Sequence, residues 1–163
     1  MHPDDVAIAQ FSYHEIRGCT EIQFSNGGQL YALNDEDGHV HIFRFWQNER
    51  LDQVFKDSQL GHSGPVKSIV WLDDDTGFIT AGRDDHRVIR WRIKPDEETG
   101  KVLVWSYKEQ GTQFYDCQIR EEDPDKPNQP NKVVVLASSR DGCIRELLDG
   151  NSRERYETGY QYS

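Results

Sequence analysis

A strand-turn-strand-turn-strand pattern comes round three times in this 163-residue chain. Self-similarity of that kind restricts the fold more than any single motif, because each unit buries its apolar face only by stacking on the next. The first unit runs Thr20 to Phe24, turns at Ser25-Asn26-Gly27-Gly28, continues from Gln29 to Asn34, turns at Glu36-Asp37-Gly38, and ends with His39 to Phe45. Asn-Gly and Asp-Gly between alternating runs are hairpin signals. The second opens at Gly61-His62 and sets Val66, Ser68 and Val70 against Lys67, Ile69 and Trp71. An acidic turn ending in Gly77 leads to Phe78–Gly82, and the charged turn Arg83-Asp84-Asp85-His86 leads to Arg87–Ile93. In the third unit the runs are Phe114 to Arg120, Val133 to Ser138 and Cys143 to Leu148. Between its first two lies a polar insertion, Glu121 to Lys132, whose Pro124, Pro127 and Pro130 suit a surface loop and not a paired strand.

Two further stretches, Arg50 to Phe55 and Val102 to Tyr107, supply a fourth, outer strand to the first and second units. Asp37, Asp84 and Asp141 mark the equivalent turns, and Phe43, Trp91 and Leu147 the equivalent third strands, at a period near 50 residues. The fold class is therefore all-β. Units of about 17–56, 61–107 and 112–150 are expected, with 1–16 and 151–163 as flanking strands or linkers.

Hydrophobic residues make up only 35 % of the chain, but they are rich in the β-branched and aromatic types that suit pleated, half-buried surfaces. A formal net charge of −10 repels phosphate backbones and anionic lipid heads, so neither nucleic acid nor a membrane is an expected partner. No apolar run approaches the roughly 20 residues of a spanning helix, and the N-terminus lacks the basic flank and apolar core of a leader. Cys19, Cys117 and Cys143 are odd in number and lack metal spacing, which fits small core hydrophobes in a reducing compartment.

Catalytic and cofactor signals are missing: no glycine cluster has phosphate-loop spacing, and no Ser, Cys or Lys lies in a catalytic frame. His39 and His41, two apart on a strand beside Asp37, form at most a partial metal site and read as solvated histidines of an outer strand. Asp73-Asp74-Asp75-Thr76-Gly77 is too short for an EF-hand loop and reads as a hairpin turn.

The Gly61-His62 opening and Trp91 near the end of the third strand are similar to the WD-repeat family, whose members fold as β-propeller blades. That resemblance implies a buried hydrogen-bonded chain of His62, Thr80, Asp84 and Trp91. Asp84 is preferred to Asp85 because Thr80-Ala81-Gly82-Arg83-Asp84 follows the family order without a gap. Such a chain is a folding device. It also looks like a hydrolase triad, but without a nucleophile elbow. The first and third units lack the full set, so they are expected to rest mainly on apolar packing.

Within the class, Arg17-Gly18-Cys19, Phe24-Ser25-Asn26-Gly27-Gly28 and Lys67-Ser68-Ile69-Val70-Trp71 resemble an axonemal family of WD-repeat proteins of cilia and flagella. Over about residues 12 to 150 the resemblance implies a non-catalytic scaffold in the cytoplasm and cytoskeleton of the ciliary or flagellar axoneme. It binds no cofactor, and its implied partners are axonemal proteins and inner-arm dynein subunits. The alternative is a general cytoplasmic WD-repeat adaptor. About three blades fall short of the roughly 4–8 of a closed propeller, so either another chain or a further segment is expected to complete the ring.

Overall fold

The computed structural model describes residues 18–45, 49–50, 61–94, 101–122 and 132–158. Among them are twelve strands in three antiparallel meanders. The first sheet holds β1 (Cys19–Phe24), β2 (Leu30–Asp35), β3 (Val40–Arg44) and β4 (Glu49–Arg50) in that order. The second holds β5 (Val66–Trp71), β6 (Gly77–Gly82), β7 (Arg87–Ile93) and β8 (Lys101–Lys108). In the third are β9 (Phe114–Glu122), β10 (Lys132–Ser139), β11 (Cys143–Leu148) and β12 (Asn151–Glu157).

Strands β1, β5 and β9 lie side by side as the inner edges of the three sheets. One apolar cluster joins Ala32, Val40 and Ile42 of the first sheet to Ile69, Trp71, Phe78, Ile89 and Trp91 of the second. The other joins Ile79, Ala81, Val88 and Trp105 to Phe114, Cys117, Val135, Ala137 and Leu147 of the third. The middle sheet is therefore covered on both faces. This is why all six residues of β6 are buried and why its sequence reads Phe-Ile-Thr-Ala without polar alternation. The outermost strand β12 is exposed throughout and carries the charges that discourage edge pairing.

The register repeats from sheet to sheet. The cross-strand sets Phe24/Tyr31/Phe43, Trp71/Phe78/Trp91 and Ile119/Val135/Leu147 are equivalent. Each inner strand also carries one extra residue against its partner. Thr20 stands between Cys19 and Glu21, Lys67 between Val66 and Ser68, and Tyr115 between Phe114 and Asp116. A bulge repeated at one place in each unit re-aims a side chain at the inner rim.

Several expectations shift. The outer strand expected at Arg50 to Phe55 begins at Glu49, and residues 51–55 lie outside the described ones. Glu121, Glu122 and Lys132 belong to the β9–β10 ladder and not to the loop, whose residues 123–131 lie outside the described ones. Residues 151–157, beyond the expected end of the third unit, form its fourth strand. Cys117 and Cys143 are buried, as core hydrophobes should be, but Cys19 is exposed. Burial pushes the Cys117 thiol up to about 12, so it is inert at neutral pH.

Candidate functional site

Three polar nodes occupy the ends of the sheets where β2 turns to β3, β6 to β7 and β10 to β11. In the middle sheet His62 Nδ1 lies 2.6 Å from Asp85 Oδ2 and Nε2 lies 2.7 Å from Thr80 Oγ1, while Trp91 Nε1 donates to the same Thr80 oxygen at 3.0 Å. One assignment of protons satisfies every group. The Trp91 N–H donates to Thr80, the Thr80 hydroxyl donates to His62 Nε2, and His62 Nδ1–H donates to the Asp85 carboxylate. Asp85 also accepts the amides of Ser63 at 3.2 Å and Arg87 at 3.2 Å. Burial alone would raise the Asp85 carboxyl. The His62 hydrogen bond and the two amides outweigh burial and hold it below the usual range.

The structure thus brings together His62, Thr80 and Trp91, but the acid is Asp85 and not Asp84. Asp84 points outward, with a side chain 62 % exposed beside Arg83. The reason lies in the turn. Five residues, 35–39 and 139–143, separate the last paired positions Asn34/Val40 and Ser138/Ile144 in the outer sheets, whereas six, 82–87, separate Ala81 from Val88. The additional residue falls before the acid, so counting forward from Thr80 arrives one position short. Counting back from the third strand does not: Asp141 is six before Leu147, and Asp85 is six before Trp91. Gly82 makes room for the arrangement, since a Cβ there would overlap Asp85 Oδ1 and His62 Nδ1.

The outer sheets have polar nodes of their own, against the expectation of apolar packing alone. In the first, Asp35 Oδ1 accepts the amides of Asp37 at 2.9 Å and His39 at 3.0 Å, and its Oδ2 meets His41 Nε2 at 2.7 Å. His41 is therefore no solvated outer-strand residue; it sits on the third strand and is 0 % exposed. Burial raises the Asp35 carboxyl, and its bonds to His41 and the His39 amide more than reverse that. Ligand atoms of Asp35, Asp37 and His39 lie within 4.8 Å of one another, the one such group among the described residues. Asp35 already spends its lone pairs on two amides and an imidazole, so this is a satisfied turn.

In the third sheet the partner is Arg145, 1 % exposed. Its guanidinium reaches Asp141 Oδ2 at 2.7 Å, Glu109 Oε2 at 2.5 Å and Ser139 Oγ at 2.5 Å. Glu109 follows β8 and is itself bonded by Tyr107 at 2.8 Å and Thr112 at 2.6 Å, so Arg145 ties the second sheet to the third. Burial would raise the Glu109 carboxyl, but these donors, Arg145 foremost, lower it to about 2. Asp141 is held below its ordinary range chiefly by the Arg145 hydrogen bonds.

Polar contacts also join the first two sheets. The Asp75 carboxylate accepts the amides of Asn26 at 2.8 Å and Gly27 at 2.7 Å, while Trp71 Nε1 donates to Gln23 O at 3.0 Å. Asp75 holds a left-handed φ of 58° to do so, which gives the acidic turn a docking role. Along the inner rim β1, β5 and β9 line a concave groove of ≈ 470 Å³ that includes Glu21, Gln23, Lys67, Tyr115, Asp116 and Gln118.

No family model matches the chain. It is 31% identical over 143 residues to cilia- and flagella-associated protein 57 of Mus musculus, covering 87% of this chain and 10% of that protein. Cilia- and flagella-associated protein 57 C of Tetrahymena thermophila is 36% identical over 111 residues, which are 64% of this chain and 8% of the relative. The chain thus spans no more than about a tenth of these relatives. WD repeat-containing protein 55 of Homo sapiens is 25% identical over 133 residues, 82% of this chain and 30% of that one. Among solved structures, the RRP9 WD40 repeats superpose with a TM-score of 0.67 at 10% identity, over 86% of this chain and 39% of theirs. The Chaetomium thermophilum Sqt1, bound to the N-terminus of the ribosomal protein L10, gives 0.65 at 15% identity over 88% of this chain and 37% of its own.

Proposed function

Because this chain belongs to the WD-repeat propeller family and is homologous to a stretch of the cilia- and flagella-associated protein 57 proteins, we propose that it is a non-catalytic scaffold of the ciliary or flagellar axoneme. In this reading it supports the assembly or regulation of inner dynein arms by holding axonemal proteins on rigid blades, within the cytoplasm and cytoskeleton. A further segment or another chain extends its three blades.

One observation carries the non-catalytic part. Among the described residues, the only arrangement resembling a catalytic triad is sealed, with Thr80 0 % and His62 3 % exposed and each polar atom already paired within it. A nucleophile needs access to its substrate, and this hydroxyl has none. Its bonds instead fix the loop before β5 and the β6–β7 turn to the sheet. Rigid frames of this kind present partners on their loops and rims.

The test is localisation of the tagged full-length gene product in ciliated cells, together with the inner-arm dynein content of axonemes that lack it. Signal along the axoneme with depleted inner arms is expected; a protein absent from cilia defeats the proposal. A general WD-repeat adaptor is the second reading, favoured by the similarity to WD repeat-containing protein 55. Expression in cells that never build cilia would select it.

A further inference from the structure

The repeated bulge leaves the three inner strands chemically unlike at equivalent positions. By register Glu21, Ser68 and Asp116 correspond, as do the bulged Thr20, Lys67 and Tyr115. Two carboxylates therefore stand on the outer pair of inner strands, on either side of Ser68 and Lys67, in one groove of ≈ 470 Å³. Asp116 Oδ1 is engaged by the Ser68 hydroxyl at 2.9 Å and the Cys117 amide at 2.8 Å, which fixes the carboxylate in place. Among the described residues the Glu21 carboxylate meets no ion-pair partner within 4.0 Å, nor does the Lys67 ammonium. Burial, followed by the Asp116 charge, raises the Glu21 carboxyl although Lys67 acts to lower it. The groove thus sets two carboxylates, Glu21 and Asp116, against the single ammonium of Lys67.

Its other lining fits an extended chain. The side-chain amides of Gln23 and Gln118 offer both donors and acceptors to a peptide backbone, and the 37 % exposed ring of Tyr115 offers a face for an alkyl stem or a cation. With a net charge of −10 the protein steers cationic segments toward it and turns nucleic acid away.

The geometry points to this groove as a binding site for a basic, extended protein segment, one lysine or arginine side chain of which lies between Glu21 and Asp116. This rests on the reading of the chain as an interaction module, and it names the chemistry of one partner. It does not depend on a ciliary location.

The experiment uses the whole 163-residue chain and fluorescein-labelled ten-residue peptides of alternating Gly-Lys, Gly-Gln and Gly-Glu, read by anisotropy. The Gly-Lys peptide binds and the others do not. Glu21→Gln weakens it about tenfold, as expected for loss of one charge-assisted hydrogen bond. Lys67→Ala strengthens it, and Glu154→Gln, on the exposed outermost strand β12, leaves it unchanged. Asp116→Asn, which keeps an acceptor for Ser68, gives a second reading of the same site, and thermal unfolding checks that every variant is folded. Equal weakening by Glu21→Gln and Glu154→Gln would reduce the effect to net charge and overturn the site, as would indifference to peptide sign. Failure here with an axonemal signal intact removes the groove and leaves the scaffold proposal standing.

Discussion

The middle and third blades solve one packing problem with different chemistry. Ile89 and Arg145 occupy the same register position on the third strand, opposite Thr80 and Ala137. Where the strand supplies an arginine, it reaches the turn acid directly and needs a second carboxylate, Glu109, from the preceding sheet. Where it supplies isoleucine, the base arrives from outside the sheet as His62, and a threonine and a tryptophan complete the chain. The first blade follows the third in this, since His41 stands at the Arg145 position and faces Asp35. The constant requirement is to satisfy a carboxylate beside the turn, buried at Asp35 and Asp85 and part-exposed at Asp141; the identity of its partner is free to vary.

The difference predicts unequal sensitivity. His62→Ala strands the buried Asp85 carboxylate and opens a void, and should lower unfolding stability by about 3–5 kcal/mol in urea titration. Arg145→Met should cost less, about 2–3 kcal/mol, because Asp141 and Glu109 are a third or more exposed and regain water. If Arg145→Met proves the more damaging, the two nodes are not the alternatives described here.

Acid separates the blades further. Glu109 and Asp141 have depressed values in the folded protein, so the stability they contribute is complete above their ordinary values near 4.5 and 3.8. It is lost as pH falls through the folded ones, about 2 for Glu109. Arg145→Met should flatten the stability profile between about pH 4.5 and 2, whereas Trp91→Phe should shift the profile without changing its slope. A smaller effect belongs to the contact between the first two blades. Asp75→Ala removes the acceptor of the Asn26 and Gly27 amides and should cost about 1 kcal/mol, read as a lower midpoint at an unchanged slope.

The strands were legible because alternation and turn residues are local signals. Gly27-Gly28 and Asp37-Gly38 mark hairpins wherever the sheet lies, and the two-sided burial of β6 follows from its unbroken apolar run. The polar nodes were less legible, because their members meet through register and not through sequence. Arg145, in Cys-Ile-Arg-Glu-Leu-Leu, reads as a solvated side chain until Glu109, 36 positions earlier, is placed beside it. His41 was misread for the same reason, its partner Asp35 lying across a turn. The choice between Asp84 and Asp85 did carry a signal, the interval of six residues from turn acid to third-strand anchor that the second blade shares with the third. Counting from the opposite side of a lengthened turn concealed it.

That choice also supplies the most direct test. Urea unfolding of Asp85→Ala and Asp84→Ala, side by side, compares two adjacent carboxylates that differ in almost nothing but placement. Asp85→Ala leaves the His62 N–H and the Ser63 and Arg87 amides without their acceptor, and should lose about 2–4 kcal/mol, while Asp84→Ala stays within about 0.5 kcal/mol of the parent. Equal losses, or the larger loss at Asp84, would contradict the buried chain as it is drawn here.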